Sequence, residues 1–279
     1  MKHATRQKLY STAVVLLLAL AAASCTSPKE AAVEKPPAVP GPAHTTAEKT
    51  PLRDSVKIIS INTLHALHDA LSVKRFASWV RTFAPDVVAV QQIDRPMEGK
   101  KDFDAVRELA QQLDMRPFFG VARYYKGFDS GNAVFSVYPI KQSTVESLPV
   151  SKGKVRRSLA YTVIDVGLQS VGFASTEVDD QSPAERKKQA QGLASMLPQF
   201  IDFPFVVCGE FYEPSSGAAA GVMKDAFVCA NDLGTAPVGG TQHLYAAARS
   251  TVHPVAAKKI VNQDIHSDAI MVTLHVVSK

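Results

Sequence analysis

The order of strand-like and helix-like segments constrains the fold of this chain more than any other feature of its sequence. Two apolar, β-branched runs, at 55–63 and 86–93, predict buried strands. Each is followed by a segment in which apolar residues recur every three or four positions, at 70–85 and 102–114, and this spacing predicts an amphipathic helix. Pro85 ends the first of these helices. The chain therefore opens with two strand–helix units, which are typical of α/β proteins.

The rest of the chain predicts a series of strands with one helix among them. The strand-like runs are 116–124, 131–140, 158–166, 169–178, 204–210, 240–251, 253–261 and 267–277. Ser182, Pro183 and Glu185 begin the helix, because serine caps a helix N-terminus, proline suits its first turn and the glutamate completes a capping box. Together these segments predict stacked sheets with helices on their outer faces.

The N-terminal segment predicts export of the protein. Basic residues at positions 2, 6 and 8 precede an apolar run at 13–23, which is shorter than the roughly 20 apolar residues of a transmembrane helix. Small residues then lead to Cys25. This pattern is typical of a bacterial lipoprotein signal peptide, 1–24, after which Cys25 becomes the lipidated first residue. An ordinary secretory signal cleaved nearby is the alternative.

Residues 25–54 differ in composition from the segments around them, since they are rich in proline, alanine and charge and nearly free of large apolar side chains. Such a segment cannot bury enough surface to fold. We interpret it as a disordered tether between the lipid on Cys25 and a folded domain at 55–279. The sequence thus predicts a protein held on a membrane of the bacterial cell envelope.

The charge of the chain gives no strong signal for a nucleic-acid partner. The net charge is +5, but removing residues 1–24 deletes three basic residues and no acidic one, which leaves +2. Two cysteines remain in the predicted domain. Cys208 lies in an apolar run, where a small buried thiol is the ordinary interpretation. A disulfide between Cys208 and Cys229 is the alternative that export permits.

Polar residues recur at the ends of the predicted strands, and their order is more informative than any one of them. Asn62 ends the first strand and "VQQID" ends the second. The later motifs are "GNAVFSVYPI", "ASTEVDD", "ERKKQAQGL", "VVCGEFYEP" and "IHSDAIMV". In number, order and spacing, this series resembles the endonuclease/exonuclease/phosphatase superfamily over about residues 56–277. The resemblance implies an α/β protein with the DNase I-like fold, a four-layer α/β/β/α sandwich.

The resemblance also implies a site for phosphoester hydrolysis. The superfamily carries an asparagine after its first strand, followed by "QE", "TH", "GDFN" and "SDH" motifs. The glutamate of "QE" and the asparagine hold an Mg²⁺-type ion, the aspartate of "GDFN" positions a water, and the two histidines stabilise phosphoryl oxygens. A phosphodiester requires such groups because it is anionic, so its charge must be neutralised while a base orients the attacking water.

Most of these chemical positions carry a different residue in this chain. Asn62 and Asp268 are retained and Glu210 replaces the aspartate of "GDFN", so these three match the catalytic positions. Asn62 and Gln92 match the metal positions. The substituted pocket residues are Gln92 for the metal glutamate, Glu177 and Ala269 for the two histidines, Tyr212 for the asparagine of "GDFN" and, by a loose alignment, His243 for a further aspartate.

The substitutions predict a loss of hydrolytic activity. A neutral amide such as Gln92 is a poor ligand for a hard cation, and Glu177 places an anion where a phosphate donor is expected. A positioned acid or base contributes about 10²–10⁴ to a rate, and one charge-stabilising donor about 10²–10³. The sequence therefore predicts a pseudoenzyme without a cofactor that binds an unknown phosphorylated ligand or a protein partner.

One alternative is an active phosphoesterase or nuclease that uses Mg²⁺ or Mn²⁺ with substituted ligands. Glu177, Glu210, Asp268 and His243 would then converge as a rewired metal site. His266 would share the strand face of Asp268, because side chains two positions apart on a strand point the same way.

Three further features have two interpretations each. Asn62 is either an active residue or a turn residue at a strand end. His65 and His68, which follow it, are interpreted as surface groups, although they are close enough in sequence to approach the pocket mouth. The basic cluster "KGKVRR", 152–157, is interpreted as a solvated turn, with a phosphate-facing hairpin as the alternative.

Overall fold

The protein is described by a computed structural model that covers residues 54–278, except for 201, 202 and 249. The predicted signal peptide, Cys25 and nearly all of the predicted tether lie outside the described residues. No helix in the described ranges is long and apolar enough to cross a bilayer.

Twelve strands and four helices form the described part of the chain. The helices are α1 (Ala70–Arg81), α2 (Ala105–Leu113), α3 (Pro183–Met196) and α4 (Ala218–Lys224). The first six strands are β1 (Ser55–Asn62), β2 (Val87–Pro96), β3 (Arg116–Tyr125), β4 (Phe128–Ser136), β5 (Ile140–Ser147) and β6 (Ser158–Asp165). The others are β7 (Ser170–Glu177), β8 (Phe205–Glu210), β9 (Phe227–Cys229), β10 (Gln242–Ala247), β11 (Val252–Asn262) and β12 (Ser267–Val276).

The strands form two six-stranded sheets that pack face to face. The first sheet has the order β11-β12-β1-β2-β4-β3, and the second has the order β5-β6-β7-β8-β10-β9. One hydrophobic cluster lies between α1, α2 and the first sheet, a second lies between the two sheets, and a third lies between the second sheet, α3 and α4. This arrangement of four layers confirms the predicted α/β/β/α sandwich.

Side chains cap the N-termini of α1 and α3, and the start of α3 agrees with its prediction with one difference. The side chain of Asp69 accepts a hydrogen bond from the backbone of Ser72 at 2.7 Å and caps α1. The side chain of Ser182 likewise caps α3 by accepting from Glu185 N. The predicted capping box of α3 is incomplete, however, because the Glu185 carboxylate accepts from Ser151 N at 2.8 Å, on the loop before β6.

Several elements differ from the sequence-based prediction. The strand expected at 131–140 ends at Ser136, because the proline at 139 interrupts it, and the chain continues as β5 at the edge of the second sheet. The short elements α4 and β9 were not predicted. At the edge of the first sheet, β11 contains a bulge between Pro254 and Ala256. Cys208 and Cys229 are free thiols, and burial raises the pKa of Cys208 to about 12.

Two parallel strand pairs place the functional motifs at one edge of the sandwich. The pair β1/β2 puts Asn62 beside Gln91, and the pair β7/β8 puts Glu177 beside Glu210. The ladder between β2 and β4 shifts register between Val90 and Ile93, so Gln92 lies in a bulge. Because parallel strands end at the same edge, the polar residues at their ends meet there.

Candidate functional site

The hydroxyl group of Tyr212 lies at the centre of this edge. Asn62 Nδ2 and Gln92 Nε2 each donate a hydrogen bond to it at 3.1 Å, and the hydroxyl donates to Glu177 Oε1 at 2.6 Å. Burial, followed by the charge of Glu177, raises the pKa of Tyr212, so the phenol keeps the proton that it donates. Tyr212 thus joins the ends of β1 and β7 and the bulge of β2 through a single oxygen atom.

Glu177 is the most heavily coordinated acid of the site. Its Oε1 atom accepts from Gln92 Nε2 at 2.6 Å and from Tyr212, and it forms an ion pair with the buried guanidinium of Arg157. Arg123 lies 3.6 Å from the other carboxylate oxygen. Arg157 also contacts Asp180 at 2.9 Å. The donors that surround Glu177 are of the kind that bind a phosphate group.

Glu210 is buried and turned toward the protein. Its two carboxylate oxygens accept from Tyr212 N and from Gln242 Nε2, both at 2.9 Å. Burial raises the pKa of Glu210, although a hydrogen bond from Thr241 opposes the shift. Both carboxylate oxygens of Glu210 are thus occupied by hydrogen bonds within the protein.

A chain of buried polar side chains between the sheets supports Glu210. Gln242 donates to Gln91 Oε1 at 3.1 Å, and Ser60 donates to Gln242 Oε1 at 2.8 Å. Gln91 donates in turn to Ser175 at 3.0 Å. Sequence reasoning missed this network. The inward alternation of Ser60 and Gln91 within otherwise apolar strands was the available signal, since buried polar groups require partners.

The prediction that His243 is a pocket residue is wrong. His243 lies on the opposite face of β10, where it is buried, stacks on Phe211 at a ring distance of 5.2 Å and contacts the Tyr245 hydroxyl at 2.8 Å. Neighbouring side chains on a strand point to opposite faces, so Gln242 occupies the position facing the site. Burial lowers the pKa of His243 to about 4.

Ala269 is also misplaced by the sequence-based prediction. Its methyl group belongs to the cluster under α1 and α2, opposite Ile61 in register, and therefore faces away from the site. Asp268, the neighbouring residue, is half-exposed and forms an ion pair with Lys259. Thus β12 contributes no histidine to the site, and its acid is already paired with a cation.

The structure does not assemble the rewired metal site. Glu177 and Glu210 are adjacent, but His243 faces the other way and Asp268 pairs with Lys259. Over the described ranges, no three histidine, cysteine, aspartate or glutamate side chains are grouped so as to hold a metal ion.

The two predicted metal positions do not fit the divalent ion that the resemblance implies. Mg²⁺ and Mn²⁺ require oxygen ligands. Asn62 and Gln92 instead present N–H groups to the Tyr212 oxygen, and the amide oxygen of Asn62 accepts from Leu64 N at 3.0 Å.

His65 lies at the mouth of the site, which corrects its interpretation as a surface group. Its Nδ1 atom donates to both oxygens of Asp94 at 2.9 Å, and its ring stacks on Tyr125 at 3.9 Å. Arg123 Nη2 approaches His65 Nε2 at 3.4 Å, so Arg123 connects His65 to Glu177. His68, in contrast, is an exposed group. The roles of Arg123 and Asp94 were not predicted: Arg123 lies outside the quoted motifs, and Asp94 ends "VQQID" without having been assigned a function.

The basic cluster 152–157 divides between two environments. Arg157 is buried in the site, whereas Lys152, Lys154 and Arg156 are exposed. The chain therefore supplies a charge to the site from the base of this loop, and the rest of the loop is solvated as predicted.

The comparisons with known proteins agree on the fold. No protein-family model and no curated protein matches the chain. Among solved structures, an endonuclease/exonuclease/phosphatase from Beutenbergia cavernae DSM 12333 is similar at 20% identity with a TM-score of 0.65, covering 81% of this chain and 72% of that chain. The human Nocturnin catalytic domain is similar at 12% identity with a TM-score of 0.64, and the match covers 79% of this chain and 93% of that chain. Sphingomyelinase C from Streptomyces griseocarneus is similar at 17% identity with a TM-score of 0.57, covering 78% and 99%.

The chain has the DNase I-like fold of endonuclease/exonuclease/phosphatase proteins. The resemblance predicted from the order of the motifs is thereby confirmed at the level of the fold. The chemistry of the site is a separate matter, because one fold hosts many activities.

Proposed function

We propose that this protein is a non-hydrolytic binding module of the bacterial cell envelope, in which side chains of the protein itself fill a former phosphoesterase site. The Tyr212 hydroxyl carries this proposal, since it lies between the two side chains at the metal positions and bonds to both. A cation placed there would meet amide N–H groups and would have to displace the phenol.

The position of Glu177 supports the same conclusion. Arg157, Arg123, Gln92 and Tyr212 all surround its carboxylate. Glu177 therefore acts as an internal anion among donors that would otherwise attract a phosphate. An incoming phosphate would be repelled by the carboxylate, and it would also have to break hydrogen bonds that are already made.

The state of Glu210 also supports a non-hydrolytic role. A general base needs free access to the water it activates. Glu210 is buried and accepts hydrogen bonds from the backbone of Tyr212 and from Gln242. In this proposal, surfaces around the site bind a phosphorylated ligand or a protein partner. Cys25 is the predicted point of attachment to the membrane.

The test is a combined assay of hydrolysis and metal binding on the chain that begins after Cys25. The substrates are DNA, a chromogenic phosphodiester, a sugar phosphate and sphingomyelin, each with Mg²⁺ or Mn²⁺, and a DNase I-like enzyme serves as a positive control. We expect no turnover above background and no Mn²⁺ binding by calorimetry. Turnover that disappears in Glu210→Ala would refute the proposal.

A matched pair of variants separates a filled site from a misfolded one. The double variant Gln92→Glu, Tyr212→Asn restores two residues of the superfamily pattern and removes the phenol, so we expect it to bind Mn²⁺. Tyr212→Phe keeps the ring in place and should not bind. Equal Mn²⁺ binding by both variants and the unmodified chain would contradict the assignment of Tyr212 as the occupying group.

The alternative function is a divalent-metal-dependent phosphoesterase. It is favoured by the retained Asn62 and by similar structures that are described as a mannosyl-6-phosphatase and a sphingomyelinase. The same assays decide between the two functions, because this alternative requires both metal binding and turnover by the unmodified chain.

A further inference from the structure

The loop between β5 and β6 is firmly attached at its base and exposed at its tip. We call residues 150–156 the basic loop. Ser151 N donates to the Glu185 carboxylate at 2.8 Å, and Lys188 Nζ donates to Ser151 Oγ at 3.0 Å, so the base of the loop is held against α3. A turn closed by Lys154 N and Ser151 O at 3.0 Å, with Gly153 at a φ of +77°, projects the tip.

The exposed tip carries cations without internal partners. Lys152, Lys154 and Arg156 are exposed, and so is Lys187 on the adjoining first turns of α3. Within the described part of the chain, none of these four forms an ion pair. Their charges are therefore available to an external anion.

The acids around the basic loop are already engaged. Glu185 accepts from Ser151 N, Asp180 pairs with Arg157, and Asp179 accepts from the backbone N–H groups at 181 and 182. Because Glu185 is the one acid in the sequence of α3, the exposed face of this helix adds no negative charge. The surface formed by the basic loop and α3 is consequently positive, although the predicted mature chain is almost neutral.

Two apolar side chains flank the cations of the basic loop. Val150 is 40% exposed and Val155 is 41% exposed, and no aromatic residue lies between 150 and 157. Valines beside lysines suit the boundary between lipid headgroups and acyl chains, where apolar groups enter and cations meet phosphates. A nucleic-acid surface would more often offer aromatic groups on which bases stack.

We propose that the basic loop docks on an anionic phospholipid bilayer. The lysines and the arginine contact headgroup phosphates, and the two valines enter the interface. This inference does not depend on whether the site is catalytic. Arg157 directly follows the loop and contacts Glu177, so docking would orient the mouth of the site with respect to the membrane surface.

The test is sedimentation of the chain that begins after Cys25 with phosphatidylcholine vesicles, with or without phosphatidylglycerol. We expect binding only to the anionic vesicles and release at high salt. The variant Lys152→Gln, Lys154→Gln, Arg156→Gln should bind about 100-fold more weakly, since each basic residue near an anionic surface contributes about fivefold. The control Lys74→Gln, Lys100→Gln, Lys101→Gln removes the same charge from other exposed positions and should bind normally.

Two outcomes would overturn the proposal. Equal losses in the two triple variants would show that net charge, and not the basic loop, controls binding. The second outcome is that Val150→Ser, Val155→Ser binds vesicles as well as the unmodified chain does, and that a soluble acidic polypeptide competes for the loop as well as anionic vesicles do. This result would point to an acidic protein partner in place of a bilayer. Retention of binding only to anionic vesicles, with a selective loss in the loop variant, supports the proposal.

Discussion

A phenol hydroxyl donates one hydrogen bond and accepts two, and Tyr212 uses all three capacities. The residue has a φ of 52°, and Gln92, which bonds to it, has a φ of 51°. Non-glycine residues adopt this left-handed region at a cost of order 1 kcal/mol or more. The hydrogen bonds at the site therefore hold two strained backbone positions in place.

Removing the Tyr212 hydroxyl should destabilise the protein. Tyr212→Phe leaves the amides of Asn62 and Gln92 and the carboxylate of Glu177 each without one partner. We expect a loss of about 1–3 kcal/mol in the free energy of unfolding, measured by urea denaturation. Tyr124→Phe is the control, because Tyr124 is 64% exposed, and it should change stability by less than about 0.5 kcal/mol. Equal stability of the two variants would contradict a structural role for the hydroxyl.

His243 should make the protein sensitive to acid. Its folded-state pKa is about 4, below the ordinary value of 6.5, because burial disfavours the charged ring. A base with a lowered pKa takes up its proton mainly on unfolding, so stability is complete above about pH 6.5 and decreases as the pH falls toward 4. Between about pH 6.5 and pH 4, the free energy of unfolding of the His243→Phe variant should therefore fall by about 3 kcal/mol less than that of the unmodified chain.

The measurement for His243 is the free energy of unfolding between pH 7 and pH 4. His68→Gln serves as the control, because His68 is exposed, and its curve should run parallel to that of the unmodified chain. Parallel curves for His243→Phe and the unmodified chain would show that the buried ring does not titrate in this way.

At the scale of elements, the close approach of β7 and β8 depends on Gly209. A Cβ atom at this position would overlap the carbonyl oxygen of Thr176 on the neighbouring strand. Gly209→Ala should therefore separate the strand ends that carry Glu177 and Glu210. We expect it to lower the free energy of unfolding by more than about 3 kcal/mol.

Gly221 supplies the matched control for Gly209. It lies in α4, and a Cβ atom there would meet nothing within 4 Å. Gly221→Ala should stabilise the protein by about 0.5–1 kcal/mol, since alanine favours helix and restricts the unfolded chain. Thermal unfolding of both variants checks the two predictions. Similar changes in the unfolding temperature of Gly209→Ala and Gly221→Ala would show that Gly209 is not required for the close approach of β7 and β8.

At the scale of the whole molecule, the layers could be predicted from sequence better than the site. The periodicity of 70–85 and 102–114 predicted two helices that the structure contains, because core-facing positions determine that spacing. Strand β5 was missed because its polar residues at an edge show no apolar alternation. His243 and Ala269 were misplaced because a shift of one residue on a strand reverses the face. The link from Arg123 through Glu177 to Tyr212 joins distant segments, and a single sequence does not show such contacts.

The proposed attachment to a membrane is also a property of the whole molecule. If Cys25 is lipidated, the unmodified chain should remain in the membrane fraction after a high-salt wash. Cys25→Ala should remain bound only at low salt, through the basic loop, and should be released by the wash. Fractionation with immunoblotting checks this prediction. Salt-resistant retention of Cys25→Ala would contradict the lipid anchor.

The exposed edge strand β11 affects how readily copies of the protein can associate with one another. With the proposed membrane attachment, copies of the protein would meet at a high effective concentration, and a regular open edge would favour strand-to-strand association. Pro254 lacks an N–H group for such pairing, the adjacent bulge interrupts the ladder, and Lys258 and Lys259 are exposed on the same strand. These features disfavour pairing of this edge of the first sheet with a strand of another copy.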